Sequence, residues 1–166
     1  MKHAAALVPL ALILTGCIVE QRGAAPNEAP SFYRSLARPD AVVDFATAQA
    51  MIGAYRGNKG LPPVVLDPDL QRLAQGEARA MAAADRPASA DAVKGRIAAE
   101  GFPGPGANLS AGYHTLAEAF SGWRDSPQHN QVLLDPKAGR MGIATAYAPG
   151  SKYKVYWALV TAEGTR

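Results

Sequence analysis

Two stretches of alternating apolar residues near the end of the chain constrain its fold more than any other feature. Residues 139–148 and 153–162 place apolar side chains at alternate positions over most of their length, which is the period of a β-strand. The four residues between the stretches, Pro-Gly-Ser-Lys at 149–152, favour a turn. We therefore predict an antiparallel hairpin. Helices that precede it must cover its apolar faces, which indicates an α+β layer structure.

Helical signals fill the part of the chain before the hairpin. Asp40 is the predicted cap of a first helix that ends before Gly57, and Asp67 is the predicted cap of a second. Thr115 and Glu118 fit a capping box at the start of a fourth helix. The predicted second helix begins at about 68 and ends near 85–87. The later ones cover about 91–100, 115–124 and 127–133, and a short extended piece is predicted at 108–111.

The first 16 residues predict a lipoprotein signal peptide. Lys2 precedes an apolar run at 4–14 that is too short to span a bilayer. The following Leu-Thr-Gly-Cys at 14–17 fits a bacterial lipobox, so we expect Cys17 to become the lipidated first residue; an ordinary secretory signal with a chance cysteine is the alternative. Because Cys17 is the single cysteine, no intramolecular disulfide stabilises the mature domain, and its core must hold it together.

Residues 17–39 predict a lipidated N-terminus and flexible linker, and residues 40–166 a single domain. The linker has three prolines and no apolar period. Ile18 follows Cys17, where an aspartate would favour inner-membrane retention. We therefore expect a lipid-anchored protein of the cell envelope, attached to the outer membrane and facing the periplasm if the host is Gram-negative. The expected contact with the membrane is through this N-terminal lipid.

The charge of the chain is close to balanced. There are 17 basic and 14 acidic residues, and removal of Lys2 with the signal lowers the net charge from +3 to +2. The basic residues are spread along the chain apart from Lys152 and Lys154. A nucleic-acid-binding protein would need a clustered basic face, so we expect no nucleic-acid partner.

Five short motifs in order resemble those of bacterial CAP-superfamily (SCP-like) domains, named after cysteine-rich secretory proteins, antigen 5 and pathogenesis-related proteins. The matching motifs are IGAYR at 52–56 with GLPP at 60–63, LDPDL at 66–70, NLSAG at 108–112, WRDSPQH at 123–129 and YWALV at 156–160. The resemblance implies a three-layer α-β-α sandwich around a small antiparallel sheet, with a cleft on one side.

The resemblance also implies that the polar site of the family is degenerate here. Family members with the full site line the cleft with two histidines and acidic residues that can hold a divalent metal. His129 matches the second histidine, but no histidine lies at 88–90, and Ala107 stands where a glutamate is expected. Zinc needs three or four converging donors. We therefore predict no metal, no cofactor and no catalytic residue.

Five residues are candidates for the cleft. His129 could bind a ligand through its ring, or could be a structural remnant. Ser126 is followed by Pro127, a pattern that helix capping explains without a catalytic triad. The other candidates are Asn108, His114 and Trp123, for which packing, solvation or backbone hydrogen bonds are the simpler interpretations.

Three hypotheses for function follow from this sequence. The favoured one is a non-enzymatic, envelope-anchored binding module for an envelope lipid, glycan or protein partner. The second is a hydrolase that acts on a peptide or cell-wall substrate through a cleft centred on His129. The third is a structural envelope protein whose cleft has no ligand.

Overall fold

The computed structural model describes residues 29–164. The predicted signal peptide and Cys17 lie outside the described residues, so lipidation stays a prediction. Within 29–164, no helix is both long and apolar enough to cross a membrane.

Five α-helices and four β-strands form the described part of the chain. In order they are α1 (Phe45–Gly57), β1 (Val65–Leu66), α2 (Pro68–Ala84), α3 (Ala90–Ala99), β2 (Gly106–Ala111), α4 (Leu116–Asp125), α5 (Pro127–Leu133), β3 (Ala138–Tyr147) and β4 (Val155–Glu163). A 3₁₀ turn at Ser31–Tyr33 precedes them. The strands form one sheet in the order β1-β3-β4-β2.

The predicted hairpin is confirmed as β3 and β4, which pair antiparallel with Ile143 opposite Leu159. β2 pairs antiparallel on the other side of β4, with Asn108 opposite Leu159. The sequence analysis predicts no strand at β1, but the two residues of β1 pair parallel with β3, which makes the sheet mixed. β2 also begins two residues earlier than predicted, because Gly106 and Ala107 continue the pairing with β4.

Helices cover both faces of the sheet. Trp157 and Leu159 of β4 belong to a core cluster with residues of α1, α4 and α5. Tyr156 and Val160 alternate with them and belong to a second cluster, with residues of α2 and α3. Alternate side chains of a strand point to opposite faces, so β4 supplies both cores. The three-layer α-β-α arrangement and the α+β class are confirmed.

Helix caps explain where two of the helices begin. Thr115 and Glu118 form the predicted capping box, in which Glu118 N–H donates to Thr115 Oγ1 and Thr115 N–H donates to Glu118 Oε2. The cap of α1 is Asp44 and not Asp40, because the Asp44 carboxylate accepts from Thr47 N–H at 3.0 Å and from the Thr47 hydroxyl at 2.6 Å. These bonds lower the Asp44 pKa to about 2.

Packing of the domain begins before residue 40. Leu36 is buried in the core cluster of α1 and α4, and its N–H donates to His114 O at 2.7 Å. The sequence predicts a linker that continues to residue 39. The apolar side chain of Leu36 instead brings the end of that segment onto the domain.

Arg56 fixes the segment that follows α5. Its guanidinium is fully buried and donates to the carbonyl oxygens of Pro62 (2.8 Å), Leu133 (2.8 Å), Asp135 (3.0 Å) and Ala138 (2.9 Å). Burial lowers the pKa of Arg56, while the charge of Asp135 opposes that shift. Arginine stays protonated in proteins, so this cation joins α1 to the connection between α5 and β3.

Candidate functional site

A cleft of about 960 Å³ opens where β2 begins. α3 and α5, which belong to the cores on opposite faces of the sheet, form its two sides. Its lining consists of Ala90, Asp91 and Lys94 of α3, Pro105, Gly106 and Ala107, then Pro127, Gln128, His129, Asn130, Gln131 and Val132 of α5, and Leu134, Asp135 and Pro136.

His129 lies in the cleft, half-buried on α5. Burial lowers the pKa of its imidazole below the ordinary value of 6.5, because removing water disfavours the charged ring. The ring is therefore neutral at neutral pH, with one nitrogen that donates a hydrogen bond and one that accepts.

Asn108 lies under α5 and not in the cleft lining. Its side chain is fully buried, and Nδ2 donates to the backbone oxygen of His129 at 2.9 Å. Asn108 Oδ1 has no hydrogen-bond partner among the described residues, and neither does Thr161 Oγ1. Asn108 therefore positions the backbone of α5 at His129.

Ser126 occupies the N-cap position of α5 with Pro127 at the first helical position, as predicted. The Ser126 side chain makes no capping hydrogen bond; instead its backbone oxygen accepts from Asn130 N–H at 2.8 Å. Within residues 29–164 no hydrogen bond joins Ser126 to His129, and Ser126 is not part of the cleft lining.

Trp123 and His114 also lie away from the cleft lining. Trp123 is fully buried, donates from Nε1 to Ser110 Oγ at 3.1 Å, and packs edge-to-face on Trp157 with 5.8 Å between the ring centroids. His114 is exposed, and its backbone N–H donates to Glu118 Oε2 at 2.6 Å. Trp123 thus contributes to the core, and His114 to the cap of α4.

The cleft does not fit a zinc ion. Ala90 lies in the cleft lining within the stretch 88–90 where the resemblance expects a histidine, and Ala107 lines it where a glutamate is expected. Alanine offers no metal ligand. Across residues 29–164, no group of three or more histidine, cysteine, aspartate or glutamate side chains converges as a metal site would require.

Sequence reasoning missed most of the polar groups in the cleft. Asp91 and Lys94 form an ion pair of 3.3 Å on α3, and Gln128, Gln131 and Asp135 line the opposite side. The signal that could have found Asp91 was its position at the start of a predicted helix that faces the expected cleft. Side-chain amides on α5 carry no such signal, because solvated helix surfaces have the same composition.

A family model described as the cysteine-rich secretory protein family, CAP, matches residues 49–161. Solved structures with a similar fold include a cysteine-rich secretory protein of Staphylococcus aureus, with 20% identity and a TM-score of 0.59 over 72% of this chain and 38% of that one. An SCP-domain extracellular protein of Bacillus anthracis matches with 18% identity and a TM-score of 0.60, over 72% of this chain and 40% of that one. This chain therefore spans about two fifths of each of those chains.

An outer surface protein of Borrelia burgdorferi has a TM-score of 0.64 at 16% identity. That match covers 74% of this chain and 93% of the other. At these identities the likeness concerns the fold alone. No curated protein matches the sequence.

Proposed function

Because this chain belongs to the cysteine-rich secretory protein (CAP) family, we propose that it is a non-enzymatic binding module of the bacterial cell envelope, anchored by lipid at Cys17. The observation that supports the proposal is an open cleft of about 960 Å³. Its walls contain Ala107, where the resemblance expects a glutamate, and Ala90, within the stretch 88–90 where it expects a histidine. The cleft is present, and its polar lining includes a neutral imidazole, side-chain amides and one ion pair.

An envelope location agrees with two observations. The lipobox at 14–17 precedes the single cysteine, and the similar structures include an extracellular protein and an outer surface protein. A protein with more than one acyl chain is stably anchored. In a Gram-negative host the proposed site is the periplasmic side of the outer membrane.

The anchor is tested by expressing the full-length gene with Cys17→Ser beside the wild type and labelling cells with a fatty acid. We expect label and detergent-phase partitioning in the wild type, and neither in Cys17→Ser. Label on both proteins, or on neither, would overturn the anchor while leaving the binding proposal to its own test.

Binding is tested by native mass spectrometry of the mature full chain, released from detergent after exposure to an envelope extract. We expect an adduct that His129→Ala and Gln131→Ala weaken and that Arg79→Ala, an exposed residue outside the cleft, leaves intact. An adduct of equal strength in all four proteins would overturn the assignment to this cleft. Turnover of a peptide or glycan that His129→Ala abolishes would replace the proposal with the hydrolase hypothesis.

A further inference from the structure

β2 is an edge strand, so alternate backbone groups along it point away from the neighbouring strand β4. It is the last strand in the order β1-β3-β4-β2, and Gly112 N–H, just after β2, donates to Val155 O at 3.0 Å. Residues of an antiparallel strand alternate between bonding to the partner strand and pointing away from it. The N–H and C=O groups of Ala107 and Leu109 therefore point away from β4.

These outward groups have no partner within residues 29–164. Among the described residues, no hydrogen bond to the N–H or C=O of Ala107 or Leu109 occurs outside the ladder with β4, although the two residues are only 4% and 8% exposed. Backbone groups this deep in a protein are nearly always hydrogen-bonded. The outward N–H and C=O groups of β2 thus lack hydrogen-bond partners among the described residues, in a place where water has little access.

At Ala107 this edge forms part of the cleft wall. Gly106 and Ala107 line the cleft between Ala90 of α3 and Val132 of α5. Small residues at 90, 106 and 107 leave the backbone as the main polar surface at that point. A longer side chain at 106 would meet Thr161 Oγ1 and Val132 Cγ1, which lie 2.3 and 2.9 Å from the position of an added Cβ.

The charge of the lining favours a neutral or weakly cationic occupant. Asp91 pairs with Lys94 at 3.3 Å, which leaves Asp135 as the other charged residue of the lining, with the buried Arg56 cation behind it. Burial keeps the His129 ring neutral by lowering its pKa. None of the described residues that line the cleft is phenylalanine, tyrosine or tryptophan, so the lining offers no large aromatic face on which a sugar ring could stack. Val132, Leu134 and Pro136 offer apolar contacts for alternate side chains of an extended chain.

We propose that the cleft binds an extended peptide, neutral or singly cationic, which adds as a short strand to the free edge of β2 at Ala107. This inference rests on the proposed function and names the ligand class of the same cleft. Strand addition uses main-chain hydrogen bonds for affinity and flanking pockets for selectivity. The Ala107 N–H and C=O supply the main-chain pair, and α3 and α5 supply the flanking contacts.

The probe is the blocked tripeptide acetyl-valyl-lysyl-valyl-amide, titrated into the ¹⁵N-labelled mature full chain in detergent micelles. We expect saturable shifts of the Ala107 amide. The same peptide with its central backbone nitrogens methylated cannot pair with an edge, and we expect it to bind at least about tenfold more weakly. Equal binding of both peptides would overturn strand addition, and so would binding that leaves Ala107 unshifted.

Two proline variants test the position. Ala107→Pro removes the outward N–H in the cleft, whereas Ala111→Pro removes an outward N–H of the same strand beyond the cleft. We expect at least about a tenfold loss of peptide affinity in the first and little change in the second. If Ala107→Pro does not fold, the methylated peptide decides alone.

The outcome also separates this inference from the proposed function. An adduct from envelope extract that depends on His129, together with no binding of the tripeptide, would overturn the peptide assignment and leave the binding module in place. Equal binding of an acidic tripeptide with glutamate at its centre would overturn the stated charge preference. Absence of any adduct and of any peptide binding would overturn both.

Discussion

Two regions beside α5 bury polar groups and partner them in opposite ways. Arg56 is enclosed by four carbonyl oxygens at 2.8–3.0 Å, and each guanidinium nitrogen is used. Near the cleft, Asn108 Oδ1, Thr161 Oγ1 and the outward groups of β2 have no partner within 29–164. The buried Arg56 cation, whose hydrogen bonds are all made within the protein, stabilises the fold. The polar groups without partners near the cleft instead mark a place where a ligand or water would supply the missing hydrogen bonds.

The largest expected effect is at Arg56. Arg56→Met keeps much of the side-chain volume but removes the donor to four carbonyl oxygens, of which those of Leu133 and Ala138 are in buried contacts. Each buried group left unsatisfied costs about 1–3 kcal/mol. We expect the free energy of unfolding to fall by more than about 3 kcal/mol, measured by urea denaturation. Arg72→Met, at an exposed arginine of α2, is the control and is expected to change stability by less than about 0.5 kcal/mol. A loss below about 1 kcal/mol for Arg56→Met would remove the contrast between the two regions.

The next effect concerns the face of the sheet on which α2 packs. A Cβ at Gly142 would lie 2.3 Å from the backbone carbon and oxygen of Leu70, because α2 packs directly on β3 there. Backbone atoms cannot rotate away as a side chain can, so Gly142→Ala is expected to lower the free energy of unfolding by about 1–3 kcal/mol. Gly95→Ala, in α3 with open space around it, is expected to stabilise by about 0.5–1 kcal/mol. Thermal unfolding of both variants measures the difference, and equal shifts would contradict close contact of α2 and β3.

A smaller effect is expected from two hydroxyls on the sheet face that packs against α4 and α5, because the Ser110 hydroxyl has a hydrogen-bond partner and the Thr161 hydroxyl has none among the described residues. Ser110→Ala leaves Trp123 Nε1 without its acceptor and is expected to cost about 1–2 kcal/mol. Thr161→Val removes a buried hydroxyl that has no described partner and is expected to be neutral or mildly stabilising. If chemical denaturation gives equal losses of unfolding free energy for the two variants, a bound water is the hydrogen-bond partner of Thr161. The contrast between this region and Arg56 would then be smaller.

Sequence patterns predicted the elements of this fold better than the contents of its cleft. The capping box at Thr115 and the hairpin were predictable because both depend on local spacing in the sequence. The pattern predicts Asp40 as a cap, but Asp44 is used, since either aspartate fits the pattern and only the bonds to Thr47 decide. β1 escaped prediction because two residues are too few for a period to show.

Of the five candidate residues predicted for the cleft, His129 is the one that lies in its described lining. The resemblance placed His129 in the cleft, and the fold brings it there beside Gln131 and opposite Asp91. The buried role of Arg56 and the free edge of β2 depend on contacts between distant parts of the chain. Neither leaves a local pattern, because an arginine at the end of a helix and a short strand of small residues occur in many settings.

The smallest effect is a pH dependence confined to the cleft. Burial lowers the pKa of His129 in the native state below its ordinary value of 6.5. In the pH window that opens at about pH 7 and extends below 6.5, the unfolded chain therefore binds more protons than the native one. The free energy of unfolding therefore falls as the pH falls through this window, and His129→Gln should flatten that fall. Urea denaturation at a series of pH values measures both slopes, and parallel slopes would mean that the ring is solvated. Arg56 keeps its proton throughout this window, so a pH-dependent difference between wild type and His129→Gln reports on the cleft and not on the saturated cation behind it.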